Sequence, residues 1–375
     1  MYARISETHA QQDPLFRDSI DELGRDHLVS LRCPECLGAL HREEKKFVCA
    51  ACRRQYPIIG GLPWLAAGDQ YYHADVPEPA MRQLVEDTLQ SDWYTAFRNL
   101  LAGLPQTKRE VIAHNLLDSA RAFGLSVLPI EKNARVLDIG CGWGTLSLLL
   151  AESVEAVVAL DLSPLRARFT QLRAHEDNLR NVAVIGGGDT RYLPLESNSF
   201  DIVILNGVLE WTAVSRAGKP RDVYREYLDE VHRVLRPGGY VYIGIENRLS
   251  HLYLWGIAED HVELPYITLL PRWLADRYAE WRRGAPYRTH TYTLYGYRRL
   301  LQASGFNGLQ IFYPHPHYRL PAKVIPLDDQ NGLLRALTMS QMPRAKRFLA
   351  TAVIRLHLFQ FIPHSYLIVA QKSES

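Results

Sequence analysis

The 375-residue chain has only five cysteines and almost no excess of charge, with 43 Lys and Arg against 41 Asp and Glu. An odd cysteine count leaves no complete set of disulfide pairs, and Met1–Gly24 contains no apolar signal core. Both features point to a reducing cytosol. Balanced charge creates no global field toward nucleic acid or an anionic membrane. Long apolar runs are missing too. The most hydrophobic late stretch, residues 348–370, is broken by Arg355, His357, Pro363 and His364, whereas a membrane span needs about 20 largely apolar residues. There is no internal repeat and no low-complexity tract. What remains is a globular chain long enough for two domains.

The richest stretch is Val136-Leu-Asp-Ile-Gly-Cys-Gly-Trp-Gly144. An apolar, β-prone segment breaks into Gly140, Gly142 and Gly144, and Thr145-Leu-Ser-Leu-Leu-Leu-Ala151 resumes as a helix. Glycine serves a sharp turn that a ligand approaches closely. Asp161 closes the next apolar strand, Ala156–Leu160, where a carboxylate can accept both hydroxyls of a ribose. Ser163-Pro164 then opens a helix, with Ser at N-cap and Pro at N1. Further strands are expected at Val182–Ile185, Asp201–Leu205, Tyr240–Ile245, Leu309–Tyr313 and Ser365–Ala370. Strands alternating with helices mean a parallel sheet covered on both faces. Cys141, between two glycines, reads as a small buried filler, and Asp201 as a residue that fixes a strand entrance.

These motifs, with Gly188-Asp189, Ser199-Phe-Asp201 and Leu235-Arg-Pro-Gly-Gly239, resemble the class I S-adenosylmethionine-dependent methyltransferases. The resemblance implies an α/β, Rossmann-like, doubly wound and mostly parallel seven-stranded sheet. It implies that the glycine turn with Asp138 holds the methionine end of the donor, Asp161 its ribose and Asp189 its adenine amino group. The neighbouring Leu162, Thr190 and Asn206 complete that cofactor set. NAD-binding folds share the turn and the acid but space their glycines as G-x-G-x-x-G, unlike the alternation here.

Cys33-Pro-Glu-Cys36 and Cys49-Ala-Ala-Cys52 make two C-x-x-C knuckles in the first fifth of the chain. Four thiolates so spaced suit a tetrahedral, closed and therefore structural Zn2+. A redox site would need one C-x-x-C opening a helix. A module over 28–68 is too small to fold on apolar burial alone, and zinc supplies what its core lacks. With the tail Tyr56-Pro-Ile-Ile-Gly-Gly-Leu-Pro-Trp-Leu65 the module resembles the Trm112-like zinc ribbons that precede some methyltransferases. The expected order is a tail at 1–27, the ribbon, a helical cap or linker at 69–130, and a methyltransferase domain at 131–375. That domain carries insertions at 246–292 and 319–363, long enough to be functional.

Methyl transfer to a hydroxyl needs a positioned acceptor and a base. His261, in Glu259-Asp-His261 of the first insertion, is the expected base because imidazole titrates near neutrality. Asp260 or Glu259 would orient it, and Glu210 and Glu246, each just past a core strand, are the rivals. Glu246-Asn-Arg248, Glu259-Asp-His261 and Tyr313-Pro-His-Pro-His-Tyr318 together resemble methyltransferases of surface-glycan and lipopolysaccharide assembly. That resemblance implies a sugar, glycan or similar polar hydroxyl as acceptor, with Trp255, Trp273, Tyr278 and Trp281 available for sugar faces. A second reading is RNA methylation, since a zinc ribbon before this fold resembles the bacterial 23S rRNA guanine methyltransferases. The stretch Arg272–Arg283 also interleaves cations with rings. A third makes the chain a scaffold for a partner methyltransferase.

Overall fold

The structure, a computed structural model, describes residues 3–5, 15, 28–66, 70–72, 75–338 and 344–374. The tail expected at 1–27 lies outside the described residues apart from Leu15 and strand β1 (Ala3–Ile5). The described residues divide into two compact units. The first runs through Ala122 and adds Pro129–Ile204 and Arg233–Gly239; the second holds Phe123–Leu128, Leu205–His232 and Tyr240 onward.

In the first unit the ribbon is an antiparallel meander of β2 (Leu40–Glu43), β3 (Lys46–Cys49), β4 (Gln55–Ile59) and β5 (Leu62–Leu65). Alternation along β3 turns Phe47 and Cys49 inward, as a half-buried strand requires. The short β6 (Gln70–Tyr72) pairs antiparallel with β1. Then β7 (Arg135–Ile139), β8 (Ala156–Asp161) and β9 (Val182–Gly187) lie parallel, with Leu137 opposite Val158 and Val158 opposite Ala183. β8 and β9 are buried along their whole length, which is why they read as unbroken apolar runs and not as alternating ones.

The ribbon does not stand apart as a separate module. Trp64 and Leu65 of β5 pair in parallel with Gly186 and Gly187 of β9. The unit therefore has the strand order β10-β7-β8-β9-β5-β4-β3-β2, where β10 is Phe200–Asn206. The pairing depends on a missing side chain: a Cβ on Gly186 would lie 1.9 Å from the Trp64 ring. Trp64, itself 1 % exposed, packs with Met81, Leu84, Val85, Phe97, Trp143, Leu165 and Phe169 in one apolar cluster. Thus the helices Glu78–Gln90 and Trp93–Ala102 of the expected cap, the ribbon's last strand and the helix Pro164–Glu176 share a core. Ser163 caps that last helix through Oγ, and Pro164 stands in its first turn, as the sequence indicates.

The second unit is built on β11 (Leu235–Glu246, whose first residues belong to the other unit), β12 (Phe306–His315), β13 (Lys323–Pro326) and β14 (Ser365–Lys372). Their order is β13-β12-β14-β11, with antiparallel neighbours throughout. All seven strands expected from the alternation are present, in β7 to β12 and β14. The ribbon strands and β13 are additional. The strand expected at Tyr240–Ile245 starts earlier, since β11 runs through Arg236-Pro-Gly-Gly239 from Leu235. Both insertions contain regular elements among the described residues: the helix Arg272–Arg283 in the first, and β13 with the helices Gln330–Thr338 and Arg344–Arg355 in the second. Among the described residues no helix is long and apolar enough to cross a membrane.

Candidate functional site

Three groups of residues carry chemistry, and the first is the glycine turn. Gly140, Gly142 and Gly144 all adopt positive φ, at 69°, 58° and 78°, a region that penalises any Cβ. Space is short as well, since a Cβ on Gly142 would meet Arg166 Nη2 at 2.9 Å and one on Gly144 would meet Thr170 Cγ2 at 2.7 Å. Asp161 holds the turn from below. Its Oδ2 accepts from Gly142 N and its Oδ1 from Ser163 N, each at 2.8 Å. One donor per oxygen leaves the remaining lone pairs for a ligand's hydroxyls. Asp138 is buried beneath the turn and accepts from Ser147 Oγ at 2.5 Å. Burial raises its carboxyl to about 6, because the charged form loses its solvation.

Leu162, partly buried, follows Asp161. Asp189 and Thr190 lie just beyond β9, both buried, and Thr190 Oγ1 donates to Tyr192 O at 2.8 Å. Asn206 belongs to the second unit. There it closes β10, and its Oδ1 stands 2.1 Å from where a Gly244 Cβ would be. Cys141 is buried and its thiol pushed well up by burial, which suits a filler. Sequence reasoning missed Trp143, whose ring packs edge-on against Phe97 and Phe169 at 6.1 and 5.9 Å while its Nε1 donates to Asp75 Oδ2 at 3.1 Å. Its place between two signature glycines was the available signal.

The second group is the four ribbon thiols. The ligand atoms of Cys33, Cys36, Cys49 and Cys52 lie within 4.8 Å of one another, with Cys33 to Cys52 at 3.6 Å and Cys36 to Cys49 at 3.5 Å. A tetrahedral Zn2+ with bonds of about 2.3 Å spaces its sulfurs about 3.8 Å apart. The donor set fits structural zinc.

The third group, wholly within the second unit, gathers the expected catalytic residues. Glu210 follows β10, Glu246 ends β11 and His261 lies in the first insertion, and all three side chains are at most 1 % exposed. His261 Nε2 is 3.6 Å from Glu210 Oε1 and 3.8 Å from Glu246 Oε2, beyond hydrogen-bond length. Nδ1 is 2.6 Å from Glu259 Oε1, and Trp211 lies edge-on to the ring at 5.1 Å. Glu259 is fully used: it also accepts from the backbone N of His261 and Val262 and from Tyr287 Oη. Glu246 Oε1 accepts from Tyr318 Oη at 3.0 Å and Arg319 Nη2 at 3.2 Å. By contrast, both oxygens of Glu210, Oε2 of Glu246 and Nε2 of His261 are buried without a hydrogen-bond partner.

Electrostatics here depart from the expectation of a near-neutral imidazole. Burial opposes charge on His261, yet Glu210, Glu259 and Glu246 outweigh it and hold the ring protonated well above its ordinary range. Burial likewise opposes charge on Glu246, but His261, Arg319 and His317 hold its carboxyl down at about 2. On Glu210 burial wins and the carboxyl is raised. Asp260 faces His364 Nε2 at 3.6 Å and Tyr253 Oη at 3.0 Å, and takes no part in orienting His261. Trp211, Tyr318 and Arg319 were not anticipated. The tryptophans that were, Trp255, Trp273 and Trp281, are 65–77 % exposed. Arg272, the first cation of the basic-aromatic helix, bonds to Thr291 O and lies 5.5 Å from the Tyr292 ring.

Comparison with known proteins finds two matching family models. Residues 137–243 match the family model for a methyltransferase domain, and residues 26–61 match that for Trm112p-like protein. The chain thus carries a methyltransferase domain preceded by a Trm112p-like segment. It is 37 % identical over 108 residues to a phthiotriol/phenolphthiotriol dimycocerosates methyltransferase of Mycobacterium ulcerans, covering 28 % of this chain and 37 % of that one. To a demethylmenaquinone methyltransferase of Listeria welshimeri it is 31 % identical over 134 residues, covering 34 % and 52 %. The match thus spans about half or less of these relatives' lengths. Among solved structures, the complex of the Haloferax volcanii Trm112 methyltransferase activator is similar at 16 % identity and a TM-score of 0.41, covering 71 % of this chain and 94 % of that one.

Proposed function

We propose that the protein transfers a methyl group from S-adenosylmethionine to a hydroxyl of a sugar, glycan or similar polar acceptor. The observation that carries the hydroxyl reading is the buried cluster of Glu210, Glu246 and His261, whose inward atoms have no hydrogen-bond partner. Such atoms are costly to bury unless something else satisfies them. When bound, S-adenosylmethionine supplies an electrophilic methyl: the acceptor oxygen forms the new C–O bond as the C–S electron pair returns to sulfur. The Asp161 carboxylate would accept from the ribose hydroxyls and Asp189 from the adenine amino group, while the glycine turn admits the methionine end. Glu210 takes the hydroxyl proton, since burial raises its affinity for one and both its oxygens are available. The His261 imidazolium beside it, fixed through Nδ1 by Glu259, stabilises the developing alkoxide. Zinc in the four-cysteine site keeps the ribbon folded.

The test is labelling. The full chain is incubated with cell extract and methyl-tritiated donor, and the product is treated with glycosidase or nuclease. Label released by glycosidase and absent from Glu210→Gln supports the reading. Label released by nuclease, with acceptor binding that falls steeply with salt, assigns the chain to RNA instead. Donor binding without label in any extract would favour the scaffold.

A further inference from the structure

The geometry points to Glu210, Glu246 and His261 as the ligands of a divalent cation, a site separate from the four cysteines. Their ligand atoms lie within 4.8 Å of one another and come from three distant stretches of chain. Nε2 of His261 is 3.6 Å from Glu210 Oε1 and 3.8 Å from Glu246 Oε2. A cation with bonds of about 2.1 Å spaces neighbouring ligands roughly 3.0–3.4 Å apart, so the two spacings from His261 need contract by only a few tenths of an ångström. The inward atoms are the ones that no protein donor satisfies: both Glu210 oxygens, Glu246 Oε2 and His261 Nε2, on side chains at most 1 % exposed.

The surroundings are those of a metal centre. Glu259 Oε1 takes the Nδ1 side of His261, which fixes the tautomer that presents the Nε2 lone pair, and Glu259 is anchored in turn by two backbone amides and Tyr287. Tyr318 and Arg319 hold the outer oxygen of Glu246, so its other oxygen faces inward. A single water can donate to only two of the three unpartnered oxygens, so one of them would stay unsatisfied. One imidazole with two carboxylates suits a first-row ion such as Mn2+ or Zn2+ better than Mg2+ or Ca2+. Three protein ligands leave positions open. An acceptor hydroxyl bound there loses its proton more readily, to the Glu210 oxygen that does not bind the ion, and the cation replaces the imidazolium proton as the charge beside the alkoxide. This use rests on the hydroxyl-transfer reading; the binding of the cation does not.

The experiment titrates Mn2+ alone into the zinc-replete full chain, without donor or acceptor, and follows the free-ion electron paramagnetic resonance signal. Sub-millimolar binding is expected, together with broadening of the His261 ring resonances in histidine-labelled protein. Glu259→Gln should weaken binding about 10–100-fold, and Glu210→Gln and Glu246→Gln should weaken it further while zinc content and adenosylhomocysteine affinity stay intact. Where a variant loses those as well it has lost its fold, and the His261 broadening in the unsubstituted chain decides. No Mn2+ bound, undisturbed His261 resonances, or full affinity in folded Glu210→Gln would each overturn the proposal. Label transfer without Mn2+ binding would retain the methyltransferase reading and remove the cation. Mn2+ binding in a chain that takes up no adenosylhomocysteine would do the reverse.

Discussion

Asp161→Ala tests the donor site most directly, because one carboxylate there serves both the turn and the ligand. The substitution removes the acceptor of Gly142 N and Ser163 N, both at 2.8 Å, from a residue 6 % exposed. Hydrogen bonds to a charged group contribute about 1.5–3 kcal/mol each. With water recovering part of that at the turn, the expected loss of stability is about 2–4 kcal/mol, measured by urea unfolding. Losing the ribose contact should separately weaken adenosylhomocysteine binding by roughly ten- to a hundredfold, since about 1.4 kcal/mol is tenfold. Asp161→Asn keeps the shape and one acceptor oxygen but turns an NH2 toward a backbone N–H, so it should fall between the two. Calorimetric titration of each folded variant is the assay. Undiminished affinity in folded Asp161→Ala would refute the ribose assignment and the reasoning behind it.

Trp64→Ala, at a side chain 1 % exposed, should cost about 3–5 kcal/mol. It should lower the single unfolding transition of the whole first unit, and chelating the zinc should lower the same transition; a separate early ribbon transition would contradict the shared core. Gly144→Ala forces a Cβ into φ 78° and to 2.7 Å from Thr170 Cγ2, so about 1–2 kcal/mol of strain is expected, with weaker donor binding by titration. Asp138 ionises at about 6 in the folded protein against 3.8 ordinarily. Between those values the folded chain holds a proton that the unfolded chain has released, so stability falls as pH rises through that window. The penalty above it is about 3 kcal/mol. Asp138→Asn should erase that slope, seen as a growing advantage in urea midpoint from pH 4 to pH 7; a constant difference would show that burial does not set the shift.

Much of the fold was readable because its signals are local. β7, β8 and β9 are buried runs punctuated by Gly140, Asp161 and Gly188, and the cysteine pairs carry their ligand geometry in their spacing. The ribbon's docking was not readable: Trp64 meets Gly186 across more than a hundred residues, and nothing near either residue says that a zinc module continues the sheet. The same holds in the second unit. His261, Glu210 and Glu246 could be nominated singly from their strand ends and neighbours. Their convergence, the protonation that three carboxylates impose on the ring, and the grip of Tyr318 and Arg319 on Glu246 depend on distances that periodicity does not encode.

The parallel seam at Trp64 and Leu65 also says what the N-terminal region spares the rest of the molecule. A fragment begun after residue 75 would leave β9 with a bare lane of amides and carbonyls and an empty slot above Gly186. Exposed borders of that kind invite self-association, so the fragment should aggregate, and the separately produced zinc segment, supplied in trans, should keep it dispersed.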